Sequence, residues 1–161
     1  MRMEGIFAEQ QGDFVRAEQL FSGALQRYRA ADEKPGIALA LCSLGHLWAR
    51  AGELERAEAA FRESIARYHA IEYFGVATCL VGLAALAEQC GNHLRAARLW
   101  GAAGAMGAGS RPDWTDCRPD DAPRVEAARV RLSAPELAAA WAAGSALTIA
   151  EAVAEALGEG G

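Results

Sequence analysis

Three segments of this chain align with one another without a gap: Gly12 to Phe21, Gly52 to Phe61 and Gly91 to Trp100. Their glycines stand 40 and 39 residues apart. In each segment an alanine (Ala17, Ala57, Ala96) follows five residues on, and a large aromatic four residues after that. Self-similarity at a fixed period of this size marks a repeat architecture and constrains the fold more than any other feature of the chain. A glycine ends one helix and admits the left-handed turn into the next. The alanine lets the two helices approach closely, and the aromatic one turn later fills the space between them. Before the second and third glycines lie apolar stripes spaced by three and four, namely Leu41, Leu44, Gly45, Trp48 and Leu80, Leu83, Ala84, Ala87. Such spacing makes one face of a helix. Each period is therefore expected to be a helical hairpin, and the chain to be all-α.

The pattern resembles the tetratricopeptide repeat, whose signature runs large residue, Leu, Gly, aromatic, then Gly, Ala, Phe, Ala. In the second unit these fall on Leu41, Leu44, Gly45, Trp48, Gly52, Ala57, Phe61 and Ser64. The third gives Leu80, Leu83, Ala84, Ala87, Gly91, Ala96, Trp100 and Ala103, and a shortened first unit gives Gly5, Ala8, Gly12, Ala17, Phe21 and Ala24. Ser64 departs from the small alanine, the repeat ends carry no proline, and the period exceeds the usual 34. The fold expected is a tetratricopeptide-like helical hairpin solenoid with a short C-terminal helical cap. Helices are expected over 2–11, 14–31, 35–51, 54–71, 73–90 and 93–107, with Pro35 in the first turn of the third.

Composition shifts at Gly101. Glycines at 101, 104, 107 and 109 weaken the end of the sixth helix. Residues 110–123 hold three prolines and four aspartates, a loop signature, in which Trp114 is expected to pack onto the repeats. The organisation expected is thus 1–107 as three hairpins, 108–122 as a loop and 123–161 as capping helices. Pro123 can start a helix to about Leu132. Ser133 with Glu136, and Thr148 with Glu151, form two capping boxes. The first starts a helix stopped by Gly144, the second a helix to about Leu157. Trp141, Leu147, Ile149 and Val153 are expected in the core, and residues 158–161 as a frayed tail.

Leu99–Ala103, the proline-bearing loop and Ala138–Val153 resemble the C-terminal end of the large bacterial ATP-binding transcriptional regulators of the LuxR type. The similarity covers essentially the whole chain, although the Ala- and Gly-rich segment after Trp100 departs from the more charged helix of that family. Those regulators join a P-loop ATPase domain, a tetratricopeptide-like region and often a DNA-binding helix-turn-helix. The resemblance implies that this chain is the sensor or scaffold end, with the ATPase lying upstream. No Gly-x-x-x-x-Gly-Lys-Ser/Thr occurs in the sequence.

Function classes narrow accordingly. The net charge is −5, so no bulk attraction draws the chain to nucleic acid or to an anionic membrane. The pair of short helices over 133–157 has the outline of a helix-turn-helix. Yet no Lys or Arg follows Arg131, while Glu136, Glu151, Glu155 and Glu159 make this stretch acidic. Counterion release cannot drive DNA binding with that sign. Cys42, Cys79, Cys90 and Cys117 show no Cys-x-x-Cys pair and read as buried small hydrophobes in a reducing cytoplasm. His46, His69 and His93 lack metal-ligand spacing. Cys42 and His46 stand one turn apart but lack an orienting group and an oxyanion site. Asp116, Asp120 and Asp121 read as a solvated loop. The expectation is a non-enzymatic scaffold with no metal or cofactor and no membrane span.

Its partner is expected to be a protein or peptide, with a small effector acting on an upstream ATPase as the alternative. In the tetratricopeptide pattern the concave face is lined by residues between the core positions of each first helix. Here these are Ile6, Glu9 and Gln10; Leu39, Cys42, His46 and Arg50; and Thr78, Val81, Ala85, Glu88 and Gln89. The lining lacks the lysine and asparagine set that grips a C-terminal carboxylate, so it suits an apolar helix or small ligand. Ile6 and Phe7, with little helix before Gly12, leave an apolar edge and the expectation of a homodimer through the N-terminal end.

Overall fold

The computed structural model describes residues 2–71, 75–107 and 131–158. Among them are eight helices and no strands: α1 (Arg2–Gln10), α2 (Phe14–Ala30), α3 (Lys34–Ala51), α4 (Leu54–Ala70), α5 (Val76–Gln89), α6 (His93–Ala105), α7 (Ala134–Ser145) and α8 (Ile149–Leu157). The framework divides into two compact units, Met1–Gly75 and Val76–Gly161, so the third hairpin groups with the C-terminal helices. Residues 72–74, at the expected start of the fifth helix, lie outside the described residues. So do Trp114, Cys117, Asp116, Asp120 and Asp121, the loop over 108–122, the Pro123 helix up to residue 130, and the tail from 159 on.

The hairpin turns follow from the glycines. Gly12, Gly52 and Gly91 adopt φ of +80°, +84° and +79°, a conformation that costs glycine little and a side chain much. This lets two successive N–H groups fold back onto the orphan carbonyls of the helix just ended. Gly52 N–H donates to Ala49 O (3.4 Å) and Glu53 N–H to Trp48 O (2.9 Å); the same pair of bonds recurs at Gly12–Asp13 and Gly91–Asn92. The residue after the glycine then caps the next helix. Asp13 accepts from Arg16 N–H at 3.0 Å and Asn92 from Arg95 N–H at 3.2 Å, whereas Glu53 makes no side-chain cap.

In the first unit the alanine and aromatic of each repeat do what their spacing requires. Ala17, Phe21, Ala57 and Phe61 are fully buried. A Cβ on Gly45 would come within 2.8 Å of the Phe61 ring, so helix α4 reaches α3 through that aromatic, seated where α3 has no side chain. Burying a phenylalanine stabilises by about 1.5–3 kcal/mol. The departure at Ser64 also has its reason: the buried hydroxyl donates to Ala38 O of α3 at 2.7 Å, which satisfies a polar group that would otherwise be costly to bury.

The second unit is built differently. α5 is buried along almost its whole length, and α6 packs on both α5 and α7. Gly101 of α6 and Gly144 of α7 bring two backbones together. A Cβ on Gly101 would lie 2.2 Å from Trp141 O, and one on Gly144 1.9 Å from Arg98 O. Ser145 Oγ bridges the seam, donating within reach of Trp141 O (3.0 Å) and Gly101 O (3.2 Å). This corrects the reading of Gly144 as a helix stop. It lies inside α7, which continues to Ser145, because the glycine is needed for the approach to α6. Both capping boxes form: the Ser133 and Thr148 hydroxyls accept from Glu136 and Glu151 N–H, and each glutamate accepts from the cap residue's own N–H. Those bonds hold the Glu136 and Glu151 carboxyls below the usual carboxylate range, through the Ser133 and Thr148 side chains first and their backbones second. Val153 is buried as expected and Leu147 is half-buried. Trp141 and Ile149 are not core, at 36% and 56% exposed. The inward positions of α7 belong to Ala140 and Gly144, which leaves Trp141 at the rim, and Ile149, although three, four and seven residues before the buried Ala152, Val153 and Ala156, stands exposed as the first residue of α8.

Candidate functional site

The residues expected to line the first helices separate by burial. In the first unit Cys42 and His46 are buried, Leu39 is half-buried and Arg50 exposed. His46 lies edge-on to Phe61, ring centroids 4.9 Å apart at 79°, a favourable aromatic geometry. Arg50 Nη1 donates to Glu9 Oε1 at 3.3 Å, and its guanidinium lies 5.7 Å from the centre of the Phe14 ring. Glu9 is only 1% exposed. A carboxylate buried so deeply needs a countercharge, so Arg50 fastens the end of α3 to α1. Gln10 is exposed and Ile6 half-buried.

In the second unit Thr78, Val81, Ala85 and Glu88 are buried and Gln89 is exposed. Glu88 Oε1 stands 3.7 Å from His93 Nδ1 and 3.8 Å from Arg131 Nη1. No group of three His, Cys, Asp or Glu side chains suited to a metal occurs among the described residues. No single described helix is long and apolar enough to cross a membrane.

One cluster went unread in the sequence. Glu18 of α2 accepts from Trp48 Nε1 of α3 at 3.1 Å and from Arg56 Nη2 of α4 at 2.7 Å. Arg56 also lies over the Trp48 ring, 4.1 Å from its centre, and pairs with Glu53. The Arg56 hydrogen bond is the chief cause holding the Glu18 carboxyl below its ordinary value; burial opposes it, and the Trp48 hydrogen bond and the Arg56 charge add to the lowering. Three helices from two hairpins thus meet at one carboxylate. The signal was available: Glu18 recurs as Glu58, and Arg16 as Arg56 and Arg95, at the repeat period.

The tetratricopeptide-repeat family model matches residues 3–70, the span of the first two hairpins. Among the described residues the fold is all-α, of tetratricopeptide-like hairpins and two further short helices. No curated protein and no solved structure matches the chain. Tetratricopeptide repeats are non-enzymatic scaffolds that mediate interactions between proteins.

Proposed function

We propose that this chain is a scaffold that takes a protein or peptide segment along the first helices of its hairpins, and that the segment is an apolar or amphipathic helix. In the first unit the expected contact residues are Leu39 and Arg50, on the helix that buries Cys42 and His46; the second unit, taken by itself, offers Gln89 on the helix that buries Thr78, Val81, Ala85 and Glu88. One observation carries the preference for an apolar segment. Arg50, the only arginine or lysine among the expected lining residues, already spends its charge on the buried Glu9. An acidic tail would find no spare cation there. The test is a fluorescence titration of the full chain with two peptide sets, amphipathic helices and acidic C-terminal tails. Binding of the first set, weakened at least about tenfold by Leu39→Asp, is the expected result. Selective uptake of acidic tails overturns the reading.

The resemblance over Leu99–Ala103 and Ala138–Val153 supports a finer role for this scaffold, as the sensor or interaction end of a bacterial transcriptional regulator. An ATPase or helix-turn-helix reading frame immediately upstream in the genome is the expected observation. A neighbourhood without either counts against the regulator role and leaves the scaffold reading intact.

A further inference from the structure

The residue three places before each repeat glycine is Glu9, Ala49 or Glu88. The turn takes from this position its carbonyl, which accepts from the glycine N–H in all three units. Ala49 supplies that carbonyl with only a buried methyl behind it, so the turn does not ask for a carboxylate. Glu9 nevertheless buries one, at 1% exposed, and burying a charge is costly unless it is paired. Its side chain therefore answers a need other than the joint.

The next position along points to that need. It holds Gln10, Arg50 and Gln89, all exposed. Two units present a neutral amide there and one a cation. That cation is the group Glu9 reaches: Arg50 Nη1 donates to Glu9 Oε1 at 3.3 Å. The pair is lopsided, because the Arg50 side chain remains 31% exposed and the Glu9 side chain only 1%. Glu9 cancels the charge from beneath while the guanidinium still meets solvent. At the surface Arg50 then offers N–H donors with little net charge, as the two glutamines do. Charge at the margin of a binding face decides which partners it draws and which it turns away.

We infer that Glu9 is a specificity-determining residue of the first-helix face: by neutralising Arg50 it keeps anionic segments from being drawn there, and without it the same face takes a carboxylate-bearing segment. The inference rests on the reading that a segment lies along the first helices, and it adds the residue that sets the charge this segment can carry. A pair that only tied α1 to α3 would behave otherwise, since its loss would leave the choice between neutral and acidic segments as it was. Glu9 is the member to remove. Arg50→Gln would strand a buried carboxylate, whereas Glu9→Gln leaves a guanidinium that solvent reaches.

The full chain is titrated by fluorescence anisotropy with two labelled probes, an amphipathic helical peptide of leucine, alanine and glutamine and the same peptide ending in a run of aspartates. In the parent the aspartates give no gain in affinity. In Glu9→Gln they should shift the preference toward the acidic peptide by about tenfold or more, a shift that added salt removes and that the double variant Glu9→Gln/Arg50→Gln abolishes. Circular dichroism follows folding, and Glu9→Met, neutral and of similar length, carries the same test if the amide disturbs the packing. An unaltered preference in Glu9→Gln, with the helical peptide still bound by the parent, overturns the role of Glu9 and leaves the scaffold reading standing. Preference of the parent for the acidic peptide, or binding of neither peptide by parent and variant alike, overturns both. Unfolding of both variants at position 9 overturns the proposal by assigning the pair to stability alone.

Discussion

The α3–α4 pair and the α6–α7 pair solve the same problem by opposite means. Between α3 and α4, a glycine on one helix receives an aromatic from the other, so the contact is side chain into backbone. Between α6 and α7, glycine faces carbonyl on both sides, so the contact is backbone to backbone, and Ser145 ties the seam with its hydroxyl. The first kind of contact buries large apolar area and tolerates adjustment of a ring. The second buries little per residue and depends on near-perfect closeness, since two carbonyl oxygens leave no flexible end to move. Stability should therefore fail through lost volume in the first pair and through added volume in the second.

The largest effect expected is from Phe61→Ala, which empties the space between α3 and α4 and should cost about 3–5 kcal/mol. Urea unfolding should show the lower midpoint, with hydrogen exchange fastest in α3 and α4. Loss of under 1 kcal/mol would mean the glycine seat collapses onto the smaller side chain. Next comes Gly144→Ala, where one methyl, elsewhere a helix-favouring change, should instead destabilise by about 1–3 kcal/mol through overpacking against Arg98. A gain in thermal stability from this substitution would show that α7 does not depend on the close approach. The smallest effect belongs to the charged cluster that ties α2, α3 and α4. Glu18→Gln should cost no more than about 1 kcal/mol, because Arg56 is about half exposed and Glu18 just over a third, and solvent screens the pair. Its sign with pH is fixed by the lowered pKa of Glu18. The stabilisation is fully present above the ordinary carboxylate value and is lost as pH falls through the lowered folded value. Stability curves of the parent and the variant should accordingly converge in acid and separate toward neutrality; a gap that stays constant with pH would assign the effect to packing of Trp48 rather than to charge.

Most of the repeat was legible because its determinants are local. Gly52 announces a left-handed turn, and the five- and nine-residue offsets to Ala57 and Phe61 place a small and a large residue on one face of the following helix. Capping boxes are equally local, and those at Ser133 and Thr148 sit where the sequence places them. Gly144 was misread because a glycine after an apolar run has two meanings, a stop or a place of close approach. The deciding neighbour, Arg98, is distant in sequence. Trp141 misled for the same reason: its size argues for burial, but the inward direction of α7 is set by the smallest residues of the helix. Among the expected lining residues, helix periodicity identified a shared face in each first helix. It could not tell that Glu9 and Arg50, from different helices, would consume each other's charge.

The turn at each repeat glycine has a consequence for how such a chain can change length. Glycine and the cap residue after it are bonded to the helix behind and the helix ahead at once, leaving no spare residue in the joint. One added residue there would swing the next helix by about 100° and carry its alanine and aromatic off their seats. Insertions and deletions must therefore be absorbed elsewhere. The spacing from repeat glycine to aromatic is the same in all three units, while Tyr28 precedes Gly36 by eight residues and Tyr68 precedes Gly75 by seven. The single residue by which the two periods differ falls in the connection between hairpins, where the chain can be edited without retuning a joint.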